Sequence, residues 1–335
     1  MPVATIEGPV LNGQRQLGII HSYKTLSSYA GTNTFPGRAD DGTSLQTLSD
    51  GGRILFLNIQ FKINGVFPAG TDTWSNVASG VYDSGYLIPL AQKIASWYST
   101  YHRKIFISLD HEADGNLGVG VQGTSPSQFA DAWRHVYDVF AANGARDACA
   151  FVFDMAGYKS RVSEWNAMYP GDAYVDWLGY DPYGHVAEHM NYGPPDGTAH
   201  DTFGEDESDP GIDDTGLSRF YKWAVGLGAK DPSTGLTYTK PGSTTMPVML
   251  AEFGLSYDPT TADATYLSQY RQWWTDFVNL LAQGRYPQIR AVVFFDSLPQ
   301  YDPRLDVGTG TVASPQPGSI LDSFRKLAAL PRLNP

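Results

Sequence analysis

Short apolar runs rich in β-branched and aromatic residues recur along this chain, each bounded by Gly, Pro, Asp or Asn, and most are separated by stretches with helical spacing. Runs of that kind fit parallel strands, which are covered on both faces. The pattern predicts strands at 17–21, 53–58, 104–109, 148–153, 175–179, 247–251 and 290–295. A closed (β/α)8 barrel needs one more. The missing strand is expected between Lys24 and Gly52, in a Ser/Thr/Gly-rich stretch whose pattern does not reveal it, and must in any case lie before Arg53 or be very short.

Helix signals fill the gaps. Ser125 is placed to cap a helix, Pro126 suits the first helical position, Gln128 completes a capping box and Gly144 is the expected left-handed stop. A second helix is predicted over 265–283, with Tyr270, Trp273, Trp274, Phe277 and Leu281 on one side and Gly284 at its end. Shorter helices are expected at 87–101, 217–227 and 319–330. Strands alternating with helices over this length favour either an open doubly wound sheet or a closed barrel, and a (β/α)8 TIM barrel is the expected fold. The expected organisation is a single catalytic domain spanning 1–335, with an N-terminal extension at 1–14 and a Gly/Pro/Asp-rich insertion loop at 184–216 after strand 6.

Polar residues close the apolar runs: His21 and Tyr23, Asn58 and Gln60, His111 and Glu112, Asp154, Asp181, Glu252 and Asp296. In a barrel the carboxyl ends of the strands converge on one rim, so residues remote in sequence become neighbours there. Two runs each deliver a glutamate: Ile105-Phe106-Ile107-Ser108-Leu109-Asp110-His111-Glu112 and Val248-Met249-Leu250-Ala251-Glu252-Phe253-Gly254. Burial at such a strand end raises a carboxyl pKa, which suits a general acid. Hydrolysis of a glycosidic bond needs one carboxylic acid to protonate the leaving oxygen and one carboxylate facing the anomeric carbon, so the pair Glu112 and Glu252 fits that chemistry without a cofactor or metal. A salt-bridged strand-end glutamate is the competing explanation for either one alone. His21, Tyr23, Asn58, Asp181 and Asp296 are candidate contacts to sugar hydroxyls.

Composition narrows the partners. Acidic residues outnumber basic ones 35 to 23, and no Lys/Arg cluster could neutralise a run of phosphates, which argues against nucleic acid and anionic membranes. No stretch approaches the length of a membrane span, and no signal-like segment opens the sequence. The single Cys149 excludes an internal disulfide and sits in an apolar run, as a buried, inert thiol would. The expected partner is a poly- or oligosaccharide, handled by a monomer that is extracellular or directed to the cell wall.

At these residues the chain resembles glycoside hydrolase family 26, a β-mannanase-like branch of the retaining (β/α)8-barrel glycosidases. The segments carrying the likeness are Ala78-Ser79-Gly80-Val81-Tyr82-Asp83, His111-Glu112-Ala113-Asp114-Gly115, 133–140, 169–179 and Met249-Leu250-Ala251-Glu252-Phe253-Gly254. The resemblance implies a retaining mechanism with Glu112 as acid/base on strand 4 and Glu252 as nucleophile on strand 7. It also implies that His111 stands in the sugar subsite and that Tyr183 hydrogen-bonds the nucleophile. Departures bear on substrate: Ser108-Leu109-Asp110 replaces the family's usual Arg-Pro before His-Glu, and no Trp follows closely after Gly115. The run ending in Asp154 and Met155 also lacks the usual Trp and Asn. A mannanase with altered substrate is the expectation.

Three other readings compete. His185-Val186-Ala187-Glu188-His189 matches the H-x-x-E-H zinc peptidase motif, but Gly184 and Asn191-Tyr192-Gly193-Pro194-Pro195 leave too little room for the long helix that motif needs. The acidic tract 201–214 lacks EF-hand spacing and reads as a solvated loop. A non-catalytic carbohydrate-binding, cell-wall or phage-tail module on the same fold would have little reason to keep two carboxylates at desolvated strand ends, where each costs stability.

Overall fold

The computed structural model describes residues 18–31, 35–39, 42–67, 72–117, 123, 125–184, 219–255, 264–294, 306 and 308–333. The strands are β1 (Ile19–Thr25), β2 (Ile54–Gln60), β3 (Ile105–Leu109), β4 (Cys149–Met155), β5 (Trp177–Tyr180), β6 (Tyr183–Gly184), β7 (Ala229–Lys230), β8 (Thr237–Tyr238), β9 (Val248–Leu255) and β10 (Ile289–Phe294). The main sheet is parallel, in the order β1-β2-β3-β4-β5-β9-β10, with β6 paired to the far end of β9. All seven predicted runs are strands of this sheet. The antiparallel pair β7 and β8 was not predicted.

The sheet curls until β10 meets β1. Its interior is a separate apolar cluster containing Phe56, Phe106, Val152, Met249, Ala251, Ala291 and Val293, with Ile19, Ala150 and Trp177 packed against it. All seven strands of the order above reach that cluster, which an open sheet with two solvent-separated edges could not arrange. Full burial of each large apolar side chain is worth about 1.5–3 kcal/mol, so the filled interior holds the cylinder together. A second, larger cluster lies between sheet and helices, with Trp133, Trp165, Trp223 and Trp274 essentially inaccessible.

One expectation is corrected. β1 pairs directly with β2 from Ile19 opposite Ile54 to Thr25 opposite Gln60. No strand can intervene between them, and the described residues of that connection form the helices Leu26–Gly31 and Leu45–Asp50. The Ser/Thr/Gly-rich composition there reflects helix caps and turns; Ser44 caps the second helix by accepting from the Thr47 amide. Among the described strands, those leading to Glu112 and Glu252 are therefore third and sixth in sheet order, keeping the interval of three that the fourth-and-seventh numbering implies.

The helix Pro126–Ala142 carries the predicted capping box at Ser125 and Gln128, and Gly144 has φ 76°. The helix predicted at 265–283 spans Ala264–Ala282, and the remaining three form at Ile88–Tyr101, Arg219–Ala224 and Ile320–Ala328. Cys149 is buried at the start of β4, and burial pushes its thiol well above the usual range. The extension 1–14, most of the loop 184–216, the H-x-x-E-H segment at His185, Glu188 and His189, the acidic tract 201–214 and Asp296 lie outside the described residues.

Candidate active site

The inward face of each strand changes character at one height. Successive inward residues lie two apart. On β1, Ile19 belongs to the interior cluster, and the positions two and four residues on are His21 and Tyr23. The same step takes Phe56 to Asn58, Phe106 to Ser108, Val152 to Asp154 and Gly179 to Asp181. His21 stacks on Phe56 with ring centroids 3.9 Å apart, so the polar storey rests directly on the apolar one.

Glu252 breaks that alternation, and the backbone explains how. Met249 and Ala251 face the interior, so simple period-two geometry would turn Glu252 outward. Between the pairs Val292–Leu250 and Phe294–Phe253, however, β9 carries one residue more than β10. This bulge lets Glu252 follow Ala251 to the inner side while Phe253 packs outward on Trp273 and Phe277. Glu112 owes its place to a second irregularity: Asp110 and Glu112 both have left-handed backbone, φ 53° and 52°, immediately past β3. Each costs on the order of 1–3 kcal/mol, which the surroundings must offset. Asp110 accepts from the Trp74 indole at 2.6 Å and its amide donates to Ile59. Asp114 is fully buried and accepts from the Ala156 and Gly157 amides and the Trp165 indole, tying the loop to the end of β4.

His111 is the hub. Its Nε2 lies 2.5 Å from Glu252 Oε1 and 3.2 Å from Asp181 Oδ2, and its Nδ1 lies 3.9 Å from Glu112 Oε2. Burial disfavours the imidazolium, but hydrogen bonds and charge from Asp181 and Glu252 outweigh it and push the His111 pKa up to about 12. Burial raises the Glu112 pKa, with repulsion from Glu252 adding to it and the His111 charge opposing it. One glutamate is thus ion-paired with a cation while the other is held toward its protonated form, the division of roles an acid and a nucleophile require. His21, partly buried and held neutral by the loss of water around its ring, which lowers its pKa to about 3, has Nδ1 2.7 Å from the Tyr23 hydroxyl and 3.3 Å from the Ala251 carbonyl oxygen. Tyr23 in turn meets His111 edge-on at 5.2 Å.

The structure therefore gathers His21, Tyr23, His111, Glu112, Asp181 and Glu252. Asn58, in register with Tyr23, is fully buried and donates to Ser108 Oγ at 2.8 Å. Tyr183 pairs through its backbone with Gly254 beside Glu252; its side chain is outside what is described. His111, Glu112 and Asp181 offer ligand atoms within 4.8 Å of one another. A divalent cation there would have to displace the proton that His111 holds between Asp181 and Glu252.

Asp154 was not singled out from sequence as a site residue. It is 1% exposed, neither carboxyl oxygen has a hydrogen-bond partner among the described residues, and it leans over Gly179, where a Cβ would stand 2.9 Å from its Oδ1. Burial foremost, then Glu252 and the other carboxylates nearby, raise its pKa well above the usual carboxylate range. The folded state then binds the Asp154 proton more tightly than the unfolded chain, so this group's contribution to stability declines as pH rises above the ordinary carboxylate pKa. Asp154→Asn should accordingly raise the unfolding midpoint by about 1 to 4 °C, more at pH 8 than at pH 5. Calorimetric scans at the two pH values check this, and a midpoint lowered equally at both would contradict it.

A model of glycosyl hydrolase family 26 matches residues 69–193, a stretch that contains His111, Glu112, Asp154 and Asp181. That stretch is similar to glycosyl hydrolase family 26 over somewhat more than a third of the chain. The family match ends before Glu252, which the fold alone brings back to the matched residues. Solved structures extend the likeness. The chain resembles the catalytic domain of a family 26 endo-β-1,4-mannanase from Bacillus sp. JAMB-750 with TM-score 0.57 and 15% identity, covering 96% of this chain and 78% of that one. It resembles a family 26 β-mannanase from Bacteroides ovatus with TM-score 0.52 and 15% identity, covering 94% and 80%. At such identities these matches speak for the shared (β/α)8 barrel. Endoglucanase H of Acetivibrio thermocellus is 28% identical over 114 residues, 32% of this chain but 12% of the endoglucanase's length.

Proposed function

We propose that the chain is a retaining glycoside hydrolase that cleaves β-glycosidic bonds of a polysaccharide by double displacement. Glu252 attacks the anomeric carbon as the bond to the leaving oxygen breaks, and Glu112 gives that oxygen its proton. Glu112 then takes a proton from water, whose oxygen displaces Glu252 and regenerates the free enzyme. The observation that carries this reading is the approach of the two carboxylates to opposite nitrogens of one imidazole, Glu112 at 3.9 Å and Glu252 at 2.5 Å. The two groups also differ as an acid and a nucleophile should, Glu252 paired with the His111 cation and Glu112 pushed toward its protonated form by burial.

The substrate class is a β-linked polysaccharide, with endo-β-mannanase-like action and an altered sugar preference as the finer proposal. The relatives' activities, mannanase and endoglucanase, frame the choice. The departures before His111 and after Gly115 speak against a mannan subsite of the usual kind. The chain acts as one catalytic domain, as a monomer, outside the cell or at its wall; no helix among the described residues is long and apolar enough to cross a membrane.

Hydrolysis of defined β-mannan, β-glucan and β-xylan oligosaccharides, followed by proton NMR, tests the reaction. The first-formed product should carry the β-anomer and then mutarotate. An initial α-anomer would replace double displacement with a single inversion, and firm binding without turnover would favour a carbohydrate-binding module.

A further inference from the structure

Gly115 lies in the short helical turn Ala113–Asn116 that follows Glu112, and an aromatic ring stands directly over it. Tyr158 lies on the loop leaving β4, and a Cβ at Gly115 would come within 3.0 Å of its Cε2, so the ring rests on the bare glycine backbone. The Tyr158 side chain is in electrostatic reach of Glu112, Asp114, Asp181 and His111, which places it on the catalytic rim. It is nevertheless 53% exposed. The other strongly exposed aromatic among the described residues, Tyr101, closes the helix that precedes β3 and so belongs to the opposite end of the barrel.

An exposed aromatic face beside Glu112 and Asp181 is costly to leave open to water and well suited to the apolar C–H face of a pyranose. We propose that Tyr158, on the loop after β4, is a sugar-stacking platform of the substrate cleft. The inference rests on reading the rim as a carbohydrate cleft. Its ligand is a β-linked oligosaccharide, and contact runs through the ring face, not the hydroxyl.

Calorimetric titration of a Glu252→Gln protein with mannohexaose, cellohexaose and xylohexaose reads the subsite without turnover. Adding Tyr158→Ala should weaken binding of the accepted sugar roughly 3- to 10-fold, while Tyr158→Phe and Tyr158→Trp should leave it within about twofold. Thermal midpoints should be the same for all, since the side chain is half exposed. An unchanged Kd for Tyr158→Ala, a loss with Tyr158→Phe equal to that with alanine, or no binding of any of the three sugars would overturn the proposal. Hydrolysis by the unaltered protein reports separately on the reaction. Turnover with a Kd indifferent to Tyr158 sinks the platform alone, and Tyr158-dependent binding without turnover sinks the hydrolase alone.

Discussion

Glu252→Gly is expected to abolish turnover, by on the order of 10⁴- to 10⁶-fold, and added azide to restore part of it on an aryl glycoside with a good leaving group. The glycine leaves a gap on the face from which the carboxylate would attack, and azide can enter it. Azide then substitutes for Glu252 once, so the rescued product should be an α-glycosyl azide. The fold should survive, because His111 keeps Asp181 at 3.2 Å when Glu252 is gone. A folded, fully active Glu252→Gly protein would remove this residue from the mechanism, and rescue giving the β-azide would assign it the other role.

Glu112→Ala should separate substrates by leaving group. Poor leaving groups need the proton that Glu112 supplies, and their cleavage should fall about 10²- to 10⁴-fold. Activated aryl glycosides should still form the glycosyl-enzyme and then stall, so kcat and KM fall together. Azide attacks that intermediate after the first inversion, and the product should be the β-glycosyl azide, opposite to the Glu252 case. The pH profile gives a second check. Burial, then Glu252, holds the Glu112 pKa above its ordinary value. The acid form is needed for the first step, so activity should be present below the raised pKa and lost as pH rises through it. Glu112→Ala should erase that alkaline limb; a limb that persisted unchanged would point to another acid.

Much of this was legible in the chain. Seven apolar runs became seven strands because parallel strands covered on both faces need continuous apolar character, a signal that survives without any knowledge of contacts. Glu112 and Glu252 stood out because each follows such a run. What sequence reasoning missed depends on local backbone geometry. Strict alternation after Met249 and Ala251 turns Glu252 away from the pocket, and nothing in Leu250-Ala251-Glu252-Phe253 announces the extra residue in β9. Nor does His111-Glu112 reveal that the left-handed turn swings the imidazole onto Glu252. The resemblance cast His111 as part of a sugar subsite, and the structure adds its ion pairing with Glu252 and Asp181. Asp154 could have been found: it lies two residues beyond Val152, on the same face and at the height where every neighbouring strand turns polar. The helix predicted to run on to Leu227 ends at Ala224, an early stop that goes with Gly226 at φ 78°.

The stacking of Ile19 under His21, Phe56 under Asn58 and Val152 under Asp154 divides labour along the cylinder axis. Changes in the lower layer draw on the energy that closes the sheet and leave the reacting groups where they are. Changes one step higher alter charge and reach above a floor that stays packed. A new sugar preference can therefore be tried at the top of this molecule without renegotiating how its base folds.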